Sequence, residues 1–64
     1  MKVRNVLKIL RKDGWGIDRV RGSHRQLRHP TKKSTVTVSG NLNEDINPKT
    51  LKSIWRQAQL EGLR

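Results

Sequence analysis

The stretch Trp15–Ser39, WGIDRVR GS HRQLRH PTKK STVTVS, decides how this chain folds. Ser34 to Ser39 alternates cleanly, with Val36 and Val38 on one side and Thr35, Thr37 and Ser39 on the other, the period of a strand with one buried face. His24 to His29 has one aliphatic residue, Leu27, so the core claims Leu27 and the opposite face receives His24, Gln26 and Arg28. Trp15 to Arg21 breaks parity between Ile17 and Val20. Either a bulge near Asp18-Arg19 restores it, or the connection through Gly22-Ser23 is longer than a two-residue turn. With Gly22-Ser23 and Pro30 to Lys33 as connections, the stretch reads as a three-stranded meander.

Helices are expected on both sides of it. Val3, Val6, Leu7 and Leu10 fall at i, i+3, i+4 and i+7, one stripe of a helix running to about Lys12, and Asp13-Gly14 supplies a stop. Leu51, Ile54, Trp55 and Ala58 repeat the spacing, with Asn47 as N-cap, Pro48 at the first helical position and Gly62 placed for termination. Each stripe must be buried, and one face of the small sheet is the apolar surface available. The predicted fold is α+β, α-β-β-β-α, a three-stranded antiparallel sheet with two helices on one face and a single domain over residues 1–64. The other face is left bare, carrying His24, Gln26, Arg28, Thr35 and Thr37, with Arg19 or Arg21 at its rim.

Composition narrows the function. Fifteen Lys and Arg against five Asp and Glu give +10, so the chain seeks polyanions, and nucleic acid is the default because each neutralised phosphate releases counterions. Sixty-four residues are too few for a second domain or a deep cofactor pocket, so any site is shallow. Cysteine is absent, which removes disulfides, thiolate metal cages and a cysteine nucleophile and suits a reducing cytoplasm. No apolar run reaches the length of a membrane span or a signal-peptide core, so a soluble, unexported protein is expected. A mean hydropathy of −0.87 approaches the disordered class, but the two helical stripes and the alternating strand decide against disorder.

Gly14-Trp15, Arg19-Val20-Arg21-Gly22-Ser23-His24, His29-Pro30, Val36-Thr37-Val38, Thr50-Leu51-Lys52-Ser53-Ile54 and Gln57-Ala58 together resemble the HicA family of bacterial toxins, over about Lys2 to Leu60. The most specific element is Gly-Ser-His after a Trp-containing strand and before a His-Pro turn. The resemblance implies a fold similar to double-stranded-RNA-binding domains, mRNA cleavage without a metal, and neutralisation by a HicB-type antitoxin. It also implies that His24, the histidine of that motif, is catalytic. Many members continue past the third strand with a proline and often a histidine, whereas this chain reads Ser39-Gly40-Asn41 and offers no second imidazole there.

The residues allow the chemistry to be argued beside the resemblance. Cleavage by internal attack of a 2′-hydroxyl needs a base, an acid for the departing 5′-oxygen and positive charge on the phosphate. An imidazole serves as base or acid because both its forms coexist near neutrality. Arg21 and Arg28 are candidates to clamp the phosphate, Gly22 and Ser23 to approach it from the turn, and Lys49, at the start of the second helix with Lys52, to hold another. Gly22 also has a plainer role, the positive φ of a tight turn. His29 is expected to be structural, Trp15 and Trp55 to pack in the core, and Lys2, Arg4, Lys8, Arg11 and Lys12 to form a solvated face. No cofactor is expected, and no cluster of His, Asp or Glu has metal-ligand spacing. The expected partners are mRNA and an acidic antitoxin covering His24.

Two other classes compete with this endoribonuclease reading. One is an inert RNA-binding module using the same basic surface. The other is a DNA-binding module reading the major groove with Lys52, Ser53, Arg56 and Gln57.

Overall fold

A computed structural model describes residues 1–60 and places the elements in the order α1 (Val3–Lys12), β1 (Gly16–Arg21), β2 (His24–Arg28), β3 (Val36–Val38) and α2 (Pro48–Gln57). The sheet is antiparallel with strand order β1-β2-β3. No helix among the described residues is long and apolar enough to cross a membrane.

Val3, Val6, Leu7 and Leu10 of α1 are all buried, as their spacing requires. The end of α1 is set by Gly14 at φ +107, with Gly14 N–H donating to Arg11 C=O at 3.0 Å and Trp15 N–H to Leu10 C=O at 3.0 Å. These are the two bonds of a Schellman motif, and they drop the Trp15 indole into the core against the helix it has just left. The start of α1 has no side-chain cap. Its first donors are met from across the molecule instead, Val3 N–H by Glu44 C=O at 2.9 Å and Arg4 N–H by Leu42 C=O at 3.1 Å.

Asn47 caps α2 through its side-chain oxygen, 2.8 Å from Thr50 N–H, with Pro48 in the first turn. Termination by Gly62 falls outside the described residues, but α2 stops well before it. Gln59 takes φ +58, Gln59 N–H donates to Arg56 C=O and Leu60 N–H to Trp55 C=O at 2.7 Å, so a glutamine takes the left-handed position expected of glycine. Closing the chain over Trp55 and Leu60, both packed in or against the core, compensates the strain.

Parity in the sheet resolves as a bulge. The register pairs Ile17 with Leu27, Arg19 with Gln26, Val20 with Arg25 and Arg21 with His24, and the shift lies between Ile17 and Arg19. Asp18 is the extra residue, which returns Ile17 and Val20 to the Leu27 side and turns Arg19 and Arg21 to the other. The Gly22-Ser23 connection is therefore a two-residue turn, and Gly22 at φ +59 meets its need for a left-handed first residue. β3 spans Val36–Val38, shorter than the alternation suggested, because Ser34 turns aside to donate its hydroxyl to Gln57 C=O at 2.7 Å.

Trp15, Leu27, Val36, Val38, Ile54, Trp55 and Ala58 complete the core with the stripe of α1, and among the described residues no polar or charged residue is buried. Both tryptophans are core residues. α2 packs on β3, whereas every residue of β1 is exposed, Ile17 to 41% and Val20 to 56%. The helices cover the β2 and β3 side of the sheet and stop short of the β1 edge.

Candidate functional site

His24 is the first residue of β2, directly opposite Arg21 across the ladder. Leu27 faces the helices, so His24 and Gln26 project from the helix-free face, where Gln26 is paired with Arg19 on one side and with Thr37 on the other. Arg19, Arg21, His24, Arg25, Gln26 and Thr37 line a shallow groove of about 300 Å³. The imidazole is exposed, and none of the ion pairs among the described residues uses Arg19, Arg21 or His24. A polyanion entering the groove meets two arginines whose charge no carboxylate among the described residues has neutralised.

The turn that carries His24 is anchored from behind. Ser23 C=O accepts from Gly40 N–H at 3.2 Å and from the Arg25 guanidinium at 3.3 Å, and the same guanidinium donates to Gly40 C=O at 2.9 Å. Arg25 lies on the helix side of β2, between the buried Val38 and the exposed Val20. Its stem crosses apolar surface and its head reaches the carbonyls that terminate the sheet. Sequence reading did not single Arg25 out. The signal was available, since a charge sharing parity with Leu27 must find polar partners, but those partners lie on a loop that only the fold brings near.

The other predicted contacts separate. Gly22 and Ser23 form the turn beside His24, and a Cβ at Gly22 would meet nothing within 4 Å, so its glycine is required by φ alone. Arg28 shares the face of His24 but lies four residues along the strand, about 13 Å away at ~3.3 Å per residue. Its Nε is 3.5 Å from Asp18 Oδ2, so the bulge residue already engages it. Lys49 is exposed in the first turn of α2, a helix that packs on the opposite face of the sheet. The structure thus brings Arg21, Gly22 and Ser23 to His24 and leaves Arg28 and Lys49 apart, while Arg19 takes the place that Arg28 was expected to fill.

His29 is built into the scaffold. Its Nε2 donates to Asp13 C=O at 2.6 Å, its Nδ1 accepts from Thr31 N–H at 3.1 Å and Lys32 N–H at 3.2 Å, and its ring meets Trp15 edge-on at 5.2 Å. Asp13 Oδ2 accepts from Lys32 Nζ at 2.6 Å and from Trp15 Nε1 at 3.2 Å, and Lys32 also donates to Ala58 C=O at 3.0 Å. The Lys32 hydrogen bond, with the Lys32 charge and the Trp15 bond behind it, holds the Asp13 carboxyl below its usual range against a smaller opposing effect of desolvation. One cluster therefore ties the end of α1, the β2–β3 turn and the end of α2.

The described residues contain no group of three His, Cys, Asp or Glu side chains placed to hold a metal ion. Of the α2 residues considered for reading DNA, Gln57 is turned back, accepting from Thr37 N–H and donating to Ser53 Oγ, each at 3.3 Å.

No curated protein matches the chain, but the family model described as HicA toxin of bacterial toxin-antitoxin matches residues 3–60. That match takes in both helices, all three strands and the groove around His24, and the chain accordingly belongs to the HicA toxin family.

Proposed function

We propose that this toxin is a metal-independent endoribonuclease that cleaves mRNA in the cytoplasm and so stops translation and growth, with His24 as its catalytic residue. The observation that carries the reading is the exposed His24 imidazole on the helix-free face, opposite Arg21 and near Arg19, with no acidic side chain paired to any of the three among the described residues.

The reaction draws its nucleophile from the RNA. The 2′-hydroxyl loses its proton to a base, its oxygen bonds to phosphorus, the bond from phosphorus to the 5′-oxygen breaks, and that oxygen takes up a proton. The products are a 2′,3′-cyclic phosphate and a 5′-hydroxyl. His24 fills one proton-transfer role and solvent the other, since His29 has both ring nitrogens engaged. Arg21 and Arg19 hold the phosphate oxygens as charge accumulates on them. A groove this shallow suffices because a single strand can lay its backbone across it.

A nuclease with +10 net charge must be kept from cellular RNA until needed. The partner that does so is an acidic HicB-type antitoxin covering the His24 face, drawn in by opposite charge and stabilising the small fold by mass action.

Purified protein and its His24→Ala variant, incubated with end-labelled mRNA, test the assignment. The variant is expected to lose at least ~100-fold in cleavage rate, the lower end of what a positioned acid or base supplies, with an unchanged circular-dichroism spectrum. EDTA is expected to leave cleavage by the parent unchanged. Cleavage by the variant at the parental rate overturns the role of His24. Salt-sensitive RNA binding without fragments from either protein makes the chain a binding module instead.

A further inference from the structure

The two edges of the sheet are finished differently. Along β3 the backbone is occupied from outside, with Thr37 N–H donating to Gln57 Oε1 at 3.3 Å and the adjoining Ser34 bonded to Gln57 C=O. β1 is twice as long, six residues against three, and among the described residues no group outside β2 hydrogen-bonds the backbone of Gly16–Arg21. A long bare edge is a template for another strand, and proteins usually blunt it. Its side chains are sorted by face: Ile17 and Val20, 41% and 56% exposed, look to the helix side, while Arg19 and Arg21 look to the His24 side without an ion pair.

We propose that the outer edge of β1 is where the antitoxin docks, by adding an extended segment in which carboxylates and aliphatic residues alternate. The proposal rests on the toxin reading above. The added backbone completes the ladder, its aliphatic side chains cover Ile17 and Val20, and its carboxylates meet Arg19 and Arg21. Charge selects this occupant. A second copy of the chain brings +10 of its own and another pair of arginines to the same edge, so self-pairing sets like charges together. Docking here places the antitoxin beside the His24 face and adds to the inhibition, because Arg21 lies directly across the ladder from His24 and a carboxylate on it removes the charge that the scissile phosphate needs.

The two-residue turn fixes which backbone groups face outward. Arg21 and His24 flank it and exchange hydrogen bonds, so alternation leaves the N–H and C=O of Val20 on the free edge. Val20→Pro removes an outward N–H without touching the β1–β2 ladder, a setting in which an edge strand tolerates proline.

The test uses the full chain and the antitoxin of its own toxin–antitoxin pair. Amide hydrogen exchange in the unsubstituted complex is expected to slow at Val20 by tenfold or more relative to the free chain. Val20→Pro is expected to weaken the complex at least tenfold while its RNA cleavage, free of antitoxin, matches the parent. The exchange measurement decides the matter even if the variant fails to fold. A complex in which Val20 exchanges as fast as in the free chain overturns the docking site and leaves the toxin reading intact. No complex at any concentration, together with no cleavage, overturns both. A free chain of twice the monomer mass with Val20 protected assigns the edge to self-pairing and also overturns the proposal.

Discussion

His24 and His29 are five residues apart, at the first residue of β2 and just past its last. They have opposite parity, so the chain sends them to opposite sides of the sheet. His29 is met there by Asp13 C=O, two backbone amides and the Trp15 ring, and is held in one tautomer at the junction of three segments. His24 projects into an open groove beside Arg19 and Arg21, which form no ion pair among the described residues. The same side chain is a structural pin in one place and an exposed, unengaged imidazole in the other, as the proposed acid or base must be. What distinguishes them is the supply of partners, since an imidazole with both nitrogens engaged has no lone pair or proton to give a substrate.

The largest expected contrast comes from replacing each with alanine. His24→Ala removes cleavage, as argued above, and shifts stability by no more than ~0.5 kcal/mol, as surface changes usually do. His29→Ala costs ~1–3 kcal/mol through its lost hydrogen bonds and the edge contact with Trp15, a fall in Tm of several degrees in a domain of this size, yet still cleaves RNA where it is folded. Paired thermal melts and cleavage assays check this. Equal loss of cleavage in the two variants, below the melting range of both, breaks the comparison.

Glycine substitutions beside the two histidines sharpen it. At Gly14 a Cβ would lie 2.7 Å from His29 Nε2, on a ring held by its hydrogen bonds, in a backbone at φ +107. At Gly22, beside His24, φ is +59 and a Cβ has open space. Gly14→Ala is expected to cost ~2–3 kcal/mol and Gly22→Ala ~1 kcal/mol, measured by denaturant titration. Equal costs would mean that His29 is not fixed in place.

The smallest effect is with acid. The Asp13 carboxyl is held below its ordinary value of 3.8, chiefly by its hydrogen bond from Lys32, so it contributes stability at pH above that value and loses it as pH falls through the lowered folded value. Asp13→Asn is expected to flatten this part of the dependence of Tm on pH between about 5 and 2, with no such change on replacing His24. An unchanged acid profile in Asp13→Asn would show that the Lys32 contact is not maintained in solution.

Much of this was legible in the chain. Two helical stripes, an N-cap at Asn47, a glycine stop at Gly14 and the parity that sends His24 away from Leu27 are local regularities, and each appears where it was expected. Gln59 in place of glycine at the end of α2 was not legible, because the Trp55 and Leu60 packing that compensates it is tertiary. Neither was the start of α1, whose cap is supplied by Leu42 and Glu44 about forty positions downstream. At the site, Arg21 of the groove and the turn residues Gly22 and Ser23 follow from adjacency to His24. Choosing Arg19 over Arg28 required knowing that Asp18 bulges out of the ladder and engages Arg28.

By itself the sequence determined the element order, the two faces of each element and the excess of positive charge, because periodicity and composition act between near neighbours or on the chain as a whole. Tertiary structure alone decided which cations stand with His24, how Arg25 and Gly40 brace its turn, and that one sheet edge is closed while the other is bare. Those outcomes depend on register and on loops meeting across the fold, and a one-residue bulge is enough to reassign every side chain beyond it.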